Sequence, residues 1–270
     1  MGTIGALLAL ATSGILQAGS ADRYRDKVFS EVEVRSDLPY KEAKDHAGKT
    51  IPLRIDLYEP KGDQAASRPA LIWVHGGALS TGSKDGGVEA RFGEAFARRG
   101  YVVASVQYRL RPNPDADFNG AMRDAMEDVR SALLWLRERA KEVRVDPAKI
   151  ALGGYSAGGE IVTNLVYTDF VTEMDRRQVA AVLDLAGNTL FYSEPFEGSP
   201  PCLIVHGEAD DINPISASRN LKERLEKKGI ACELLALDGE DHFFRKPGSM
   251  DRVEEKIAEF LFRRLYPGQG

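Results

Sequence analysis

Most of this chain alternates between short, nearly continuous apolar runs and longer amphipathic segments, and this alternation strongly constrains its fold. The apolar runs are ALIWVH (70–75), YVVASVQY (101–108), KIALGG (149–154), VAAVLDLAG (179–187), CLIVHG (202–207) and ACELLALDG (231–239). Strands buried on both faces of a parallel sheet have this composition, because helices cover both sides. Segments such as AMRDAMEDVRSALLWLRERAKE and VEEKIAEFLFRRL supply those helices. The pattern predicts an α/β protein with an open, mostly parallel sheet.

Two further strands are expected before these. VFSEVEV (28–34) and IPLRIDLYE (51–59) place apolar residues at every second position, and the polar KEAKDHAGKT between them reads as a turn. They predict an antiparallel pair and bring the sheet to eight strands.

The chain has 270 residues, enough for one sizeable core, so residues 21–270 are expected to form a single domain. About a dozen residues separate the LDLAG and CLIVHG runs, so any lid is minimal.

The N-terminus resembles a secretory signal peptide. An apolar stretch runs from Ile4 to Leu16 and is followed by the small residues Ala18, Gly19 and Ser20. Residues 1–20 are therefore predicted to be a signal peptide, and the protein to be secreted or periplasmic. The segment contains no Lys or Arg, so a docked N-terminal helix in a cytoplasmic protein is the alternative. No stretch approaches the ~20 apolar residues of a membrane span, so no stable membrane insertion is expected.

Charge and cysteine content exclude several partners. The formal net charge is −5, with Lys and Arg dispersed among Asp and Glu, so no basic stripe suits a phosphate backbone and nucleic acid is not an expected partner. The two cysteines, Cys202 and Cys232, have no metal-ligand spacing and lie in apolar runs. Buried free thiols are expected, with a disulfide as the alternative in an exported protein. No metal site is predicted.

The stretch GGYSAGGE (153–160) contains the pattern G-x-S-x-G around Ser156. A β-rich run precedes it and a helix-compatible run follows it, which is the context of a nucleophile on a sharp strand-to-helix bend. Flanking glycines are needed there because larger side chains would collide with the backbone. Ser156 would project from the carboxyl edge of the sheet, and the Ala157 amide would point to the same place.

A serine nucleophile needs a base and a group that orients the base. His242 follows the last predicted strand, and Asp210 follows the strand before it. The chain order Ser156, Asp210, His242 is the order of α/β-hydrolases. Asp211 is the alternative acid. His75 and His206 end buried strands and are expected to bond local backbone.

The glycine-rich HGGALSTGS follows the ALIWVH strand. Backbone amides of such a loop can bind the oxyanion of a tetrahedral intermediate together with the amide that follows the nucleophile. The candidate donors are the N–H groups of Gly77, Ala78 and Ala157.

These motifs resemble the carboxylesterases of the α/β-hydrolase superfamily, near the hormone-sensitive-lipase-like and bacterial feruloyl or acetylxylan esterase groups. The resemblance rests on HGGALSTGSK, the YRL of 108–110, GYSAGG, HGEADDINP and His242. It implies the α/β-hydrolase fold and a scaffold ion pair between Arg109 and Asp128. The family pattern is usually HGGG followed by an aromatic residue. Ala78 and Leu79 occupy those places here, so a required positive φ would strain or shift the loop. Glu160 is unusual, and the sequence offers no explanation for it.

The expected function is hydrolysis of carboxylic esters through an acyl-enzyme, with no metal or organic cofactor. The substrate would be a small-molecule or polymer-borne ester with a short acyl group such as acetyl, or a bulky aryl or feruloyl ester. Phe191, Tyr192 and Phe196 would line the substrate pocket or, equally, pack their loop onto the domain. The alternatives are a peptidase or amidase of the same superfamily and a non-catalytic binding protein. Acyl length, alcohol, stereochemical preference and oligomeric state do not follow from residue spacing.

Overall fold

The computed structural model of the chain describes residues 23–171, 175–188 and 194–268. Its strands are β1 (Val32–Lys44), β2 (Thr50–Pro60), β3 (Arg68–Val74), β4 (Val102–Val106), β5 (Val145–Tyr155), β6 (Ala181–Leu185), β7 (Cys202–Gly207) and β8 (Cys232–Leu237). Its α-helices are α1 (Gly87–Ala97), α2 (Phe118–Glu138), α3 (Ala157–Tyr167), α4 (Ser216–Lys227) and α5 (Ser249–Leu265). The proposed signal peptide, Phe191 and Tyr192 lie outside the described residues.

The eight strands form one sheet in the spatial order β1-β2-β4-β3-β5-β6-β7-β8. β2 pairs antiparallel with β1 and β4, and every other neighbouring pair is parallel. The predicted eight-stranded, mostly parallel sheet is therefore confirmed. Because the carboxyl ends of parallel strands share one edge, the loops after β3, β5, β7 and β8 meet there.

Helices cover both faces of the sheet. Alternate residues of β3 point to opposite sides, so Ile72 packs in a core with α2, α3 and α4, whereas Leu71 and Trp73 pack in a core with α1 and α5. All seven residues of β3 are buried, as the continuous apolar runs predicted. Burial of each large apolar side chain contributes roughly 1.5–3 kcal/mol to stability. This support from both faces makes the carboxyl edge a rigid platform for the loops.

The first hairpin differs from its prediction. The strand expected at 28–34 begins at Val32 and continues to Lys44, so it includes the first four residues of the polar segment 41–50 that we expected to form a turn. The polar residues have partners there: the Tyr40 hydroxyl donates to the Gln107 carbonyl at 2.7 Å, and Lys41 Nζ lies 2.7 Å from Asp128 Oδ1. The polar sequence suggested a turn because the partners that stabilise these residues in a strand lie in distant elements.

Asp128 is fully buried and binds Arg109 through two hydrogen bonds, from Nε to Oδ2 at 2.8 Å and from Nη2 to Oδ1 at 2.9 Å. This is the ion pair that the family resemblance implied. The backbone N–H of Arg109 also donates to Asp128 Oδ2 at 3.0 Å. The pair thereby joins the loop after β4 to helix α2.

Cys202 and Cys232 lie opposite each other in the paired strands β7 and β8, and both are free thiols. Cys202 is fully buried, and its burial raises the pKa of the thiol. We expected two buried free thiols; both thiols are free, but Cys232 is only partly buried, because β8 is an edge strand of the sheet. Among the described residues, no helix combines the length and apolar character needed to cross a bilayer.

Candidate active site

Ser156 occupies a sharp bend between β5 and α3. Its φ of 53° and ψ of −121° lie in a region that residues with side chains rarely adopt. The neighbouring glycines make the bend possible. A Cβ at Gly154 would lie 2.3 Å from the Gly158 carbonyl carbon, and a Cβ at Gly158 would lie 2.0 Å from the Val74 carbonyl oxygen. The backbone N–H of Ser156 donates to the Leu185 carbonyl at 2.7 Å, which fixes the bend against β6.

The structure brings together the three side chains that the sequence analysis selected from separate loops. His242 Nε2 lies 2.9 Å from Ser156 Oγ, and His242 Nδ1 lies 2.7 Å from Asp210 Oδ2. His242 and Asp210 are 3% and 8% exposed, so water screens this chain of hydrogen bonds little. With a proton on Nδ1 donated to the carboxylate, Nε2 is free to accept the serine proton.

Asp210, rather than the adjacent Asp211, faces the histidine. Asp210 Oδ1 accepts the backbone N–H groups of Ile212 at 2.9 Å and Asn213 at 2.8 Å. These two bonds hold the carboxylate so that Oδ2 points at His242. Asp211 is exposed to solvent.

His206 lies beside the same carboxylate. Its Nε2 donates to the Asn213 carbonyl at 2.7 Å and lies 3.1 Å from Asp210 Oδ2, and its Nδ1 accepts from the Ser218 hydroxyl at 2.7 Å. Burial lowers the pKa of His206, so the ring is held neutral with its proton on Nε2. We expected the backbone bond; the contact with Asp210 was missed.

The other histidine expected to be structural is His75. Its Nδ1 lies 2.7 Å from the Gly76 carbonyl oxygen, and its ring stacks on Tyr108 with 4.3 Å between the ring centroids. Burial lowers the pKa of His75 to about 4, so it is uncharged at neutral pH. These contacts support the loop after β3.

The candidate oxyanion loop lies directly against Ser156. A Cβ at Gly76 would be 3.1 Å from the Ser156 Cβ. Gly77, Ala78 and Leu79 all have positive φ, at 111°, 51° and 61°. Ala78 therefore has a left-handed φ, which favours glycine, at a strain of roughly 1–2 kcal/mol. This is the strain that the sequence analysis expected if the position required a positive φ.

Hydrogen bonds within the loop hold this conformation. The Gly77 carbonyl accepts the backbone N–H groups of Ser80 and Thr81, each at 3.0 Å. A Cβ at Gly77 would lie 2.2 Å from the Thr81 carbonyl oxygen, so only glycine fits at this position. Leu79, which replaces the usual aromatic residue, is buried in the core.

Tyr155 is a site residue that the sequence analysis missed. Its hydroxyl donates to the His242 backbone carbonyl at 2.6 Å, so the residue before Ser156 supports the loop that carries His242. Burial raises the pKa of Tyr155, which keeps the hydroxyl protonated as a donor. The aromatic residue at the second position of G-x-S-x-G is the sequence feature that could have indicated this role.

Glu160 lies on the first turn of α3, close to Asp184 of β6. Burial, and then the Asp184 charge, raise the pKa of Glu160 to about 8, and burial raises the pKa of Asp184 to about 7. Asp184 Oδ1 accepts the Gly187 N–H at 3.0 Å. Glu160 Oε1 and Asp184 Oδ2 are buried without a hydrogen-bond partner among the described residues. The sequence identified Glu160 as unusual, but its acidic neighbour comes from another strand.

Phe196 is the predicted pocket residue that the structure describes. It is 39% exposed, and the Arg176 guanidinium carbon lies 3.8 Å from its ring centroid. Because Phe191 and Tyr192 lie outside the described residues, the predicted aromatic pocket stays a prediction.

A groove of about 540 Å³ lies next to Tyr155, the residue before Ser156. Its walls include Gly76, Gly77, Val88, Glu89, Tyr155 and Phe243. The sequence analysis did not identify it, because its walls come from the loop after β3, from α1, from β5 and from the loop after β8. We call this cavity the Glu89 groove.

Comparison with known proteins agrees with this geometry. Residues 55–195 match the BD-FAE family, and residues 179–267 match the prolyl oligopeptidase family. Esterase 2 of Thermogutta terrifontis, in a structure phosphonylated by cyclosarin, superposes with a TM-score of 0.70 and 27% identity, covering 88% of this chain and 97% of that one.

Two curated relatives are also esterases. The probable isoprenylcysteine alpha-carbonyl methylesterase ICMEL1 of Arabidopsis thaliana is 25% identical over 258 residues, covering 76% of this chain and 52% of the relative. Carboxylesterase 3 of Homo sapiens is 34% identical over 134 residues, covering 47% of this chain and 22% of the relative. This chain thus spans about half of the first relative's length and less of the second's. Because the BD-FAE match extends over more than half of its 270 residues, the chain belongs to the BD-FAE family of α/β-hydrolase carboxylesterases.

Proposed function

We propose that this protein is a serine esterase that hydrolyses carboxylic esters through an acyl-enzyme formed on Ser156. The observation that carries the proposal is the continuous chain of hydrogen bonds from Ser156 Oγ to His242, 2.9 Å, and from His242 to Asp210, 2.7 Å. A serine hydroxyl is a weak nucleophile at neutral pH, and a hydrogen-bonded base oriented by a carboxylate is the arrangement that activates it.

In the first half of the reaction, His242 Nε2 removes the Ser156 proton as Oγ attacks the ester carbonyl. Asp210 holds the ring and stabilises the imidazolium, while the amides of Gly77, Ala78 and Ala157 bind the oxyanion. Each well-placed donor of this type is worth ~2.7–4 kcal/mol in the barrier. His242 then protonates the departing alcohol. Water repeats the cycle on the acyl-enzyme and releases the acid, so the chemistry requires no metal or organic cofactor.

The proposed substrates are esters with short acyl groups or with bulky aryl groups such as feruloyl. Thermogutta terrifontis esterase 2 has been solved with propionate bound, and that structure is 27% identical to this chain with a TM-score of 0.68. This supports a short acyl group. Phe191, Tyr192 and Phe196 are proposed to contact an aromatic acyl or alcohol part from the loop after β6.

The test is hydrolysis of p-nitrophenyl esters from acetate to palmitate, with methyl ferulate and an acetylated sugar, by the wild type and Ser156→Ala. We expect turnover of the short esters and a loss of about 10⁴–10⁶ in kcat for the variant. Ser67→Ala is the matched control, because Ser67 is exposed just before β3, at the opposite edge of the sheet.

Labelling with a fluorophosphonate supplies a second readout. The wild type and Ser67→Ala should be labelled, and Ser156→Ala should not. An absence of labelling together with inactivity on every ester would instead favour a binding protein with this fold.

A peptidase or amidase activity is the second candidate, because residues 179–267 match the prolyl oligopeptidase family. The matched part contains Asp210 and His242, which both chemistries use, so it does not by itself favour the amide. Turnover of an ester and an amide with the same acyl group separates the candidates. A kcat/KM for the amide equal to that for the ester would favour the peptidase.

A further inference from the structure

The Glu89 groove extends from the loop after β3 to Tyr155 and to Phe243, the residue after His242. Phe243, which follows the base, forms one wall, and Tyr155, which bonds the His242 carbonyl, forms another. Gly76 joins the groove to the nucleophile, since a Cβ there would touch the Ser156 Cβ at 3.1 Å. The groove is therefore lined by direct neighbours of Ser156 and His242.

This position determines which part of an ester the groove receives. His242 Nε2 must lie within hydrogen-bond distance of the leaving oxygen in order to protonate it. The leaving oxygen therefore sits on the base side, and the alcohol attached to it extends along the walls formed by Tyr155 and Phe243. The acyl group, attached to the opposite side of the carbonyl carbon, extends away from this groove.

Glu89 is the acidic side chain in the groove wall. It is only 6% exposed and lies on the first turn of α1. A Cβ at Gly86 would be 2.3 Å from Glu89 Oε2, so the carboxylate packs tightly against the N-terminus of its own helix. A carboxylate is favourable at that end of a helix, which fixes its position before any substrate binds.

The charges around the groove are mostly negative. No Lys or Arg is among the described groove residues, and His75, which lines it, is uncharged. Burial raises the pKa of Glu89, and the nearby Asp85 charge raises it further, so the test below is made at pH 8. The Arg245 guanidinium carbon lies 4.3 Å from the Phe243 ring centroid, and Arg245 is ion-paired with Asp241. The groove thus presents a fixed hydrogen-bond acceptor between apolar walls.

We propose that the Glu89 groove binds the alcohol part of the substrate and that Glu89 is its specificity-determining residue. The Glu89 carboxylate accepts a hydrogen bond from a second hydroxyl on the alcohol and repels alcohols that carry a carboxylate. The inference rests on the proposed esterase function and adds the residue that selects the alcohol: Glu89 favours an alcohol with a second hydroxyl over a hydroxy acid. The walls of Val88 and Phe243 contact the carbon chain of that alcohol.

Three acetates of nearly equal size test the proposal: 2-hydroxyethyl acetate, propyl acetate and acetoxyacetate. The measured quantity is kcat/KM at pH 8, divided for each ester by its rate of hydroxide-catalysed hydrolysis, which removes intrinsic differences between leaving groups. We expect the wild type to prefer 2-hydroxyethyl acetate to propyl acetate by roughly tenfold, and to disfavour acetoxyacetate by a similar factor. Normalised ratios near one would overturn the inference while leaving the esterase function intact.

Glu89→Gln and Glu89→Leu test whether Glu89 selects the alcohol. Both should lower the preference for the hydroxyl severalfold and relieve the discrimination against acetoxyacetate, with the larger change for Leu. Glu94→Gln is the control, because Glu94 is exposed on the same helix and should leave all ratios unchanged. An equal fall in all three rates would mean that Glu89 only stabilises α1, and would overturn its assigned role.

Two outcomes separate this inference from the proposed function. If no ester is hydrolysed, including p-nitrophenyl acetate, the esterase function itself fails. If the Glu89 variants do not fold, the wild-type ratios decide the question, since the preference for the hydroxyl is measured without any substitution.

Discussion

The Tyr155 hydroxyl donates a 2.6 Å hydrogen bond to the His242 backbone carbonyl, so the residue before Ser156 is joined directly to His242. The two lie 87 positions apart in the chain. The bond aligns the loop after β8 with the bend after β5. The 2.9 Å separation of Ser156 Oγ and His242 Nε2 depends on that alignment.

Tyr155→Phe is expected to lower kcat by roughly tenfold, with a smaller change in KM. The ring keeps its packing, but the His242 loop loses one hydrogen bond, worth about 1 kcal/mol, and with it part of its positional restraint. Steady-state kinetics on p-nitrophenyl acetate measures this effect.

Tyr40→Phe is the matched control for that variant. It removes a similar bond, from a tyrosine hydroxyl to the Gln107 carbonyl at 2.7 Å, in the first hairpin. Its melting temperature should fall while kcat stays at the wild-type value. Equal effects of the two variants on kcat would contradict a positioning role for Tyr155.

The two neighbouring carboxylates should respond very differently to the same substitution. Asp210→Asn is expected to lower kcat by about 10⁴, because the amide no longer holds the productive histidine tautomer or stabilises the imidazolium. Asp211→Asn should leave kcat unchanged, since Asp211 is exposed and Asp210 is the carboxylate within 2.7 Å of His242 Nδ1. A large loss in Asp211→Asn would show that the acid was misassigned. Both variants can be compared on the same p-nitrophenyl ester.

Ala78→Gly should stabilise the protein by roughly 0.5–1 kcal/mol. The φ of 51° strains an alanine but not a glycine, and the gain exceeds the extra chain entropy that glycine has in the unfolded state. Thermal unfolding should show a rise of about 2 °C in the melting temperature. Ala78→Val should destabilise, because a β-branched residue tolerates positive φ even less. A fall in melting temperature for the glycine variant would show that Ala78 is not strained.

The buried pair of Glu160 and Asp184 predicts stability that depends on pH. The pKa of Glu160 is about 8 in the folded protein and 4.5 is its ordinary value, so between these values the folded protein holds a proton that the unfolded chain has lost. The free energy of unfolding therefore falls as the pH rises from 4.5 to about 8. Asp184 adds to the same trend up to about pH 7.

Glu160→Gln removes the ionisation of Glu160 and keeps its size. The variant should melt above the wild type at pH 8, by an amount corresponding to about 1–3 kcal/mol, and the difference should shrink towards pH 5. The exposed Glu138→Gln should show no such dependence. Melting curves of the three proteins between pH 5 and pH 9 check this. A Glu160→Gln variant that melts below the wild type by the same amount at every pH would contradict it.

Much of this protein could be predicted from local patterns. The continuous apolar runs predicted the strands of the parallel sheet, although β8 at its edge is only partly buried, and the glycines around Ser156 predicted a tight bend, because both are properties of a few consecutive residues. The positions of Asp210 and His242 followed from the shared carboxyl edge of parallel strands, which brings together loops that are distant in the chain. The positions of these two residues just after predicted parallel strands were therefore enough to place them near Ser156.

Other features depended on contacts that no local pattern contains. The polar end of β1 is a strand because Tyr40 and Lys41 have partners at Gln107 and Asp128. Asp210 rather than Asp211 faces His242 because two backbone amides hold its other oxygen.

The sequence by itself determined the order and type of the elements and the residue types at the strand ends, because backbone propensity and hydrophobic periodicity act over short stretches of chain. Only the tertiary structure decided the orientation of each side chain at that edge: the support of His242 by Tyr155, the burial of Glu160 beside Asp184, and the Glu89 groove. These depend on distances between separate elements, and side-chain packing rather than residue spacing sets such distances.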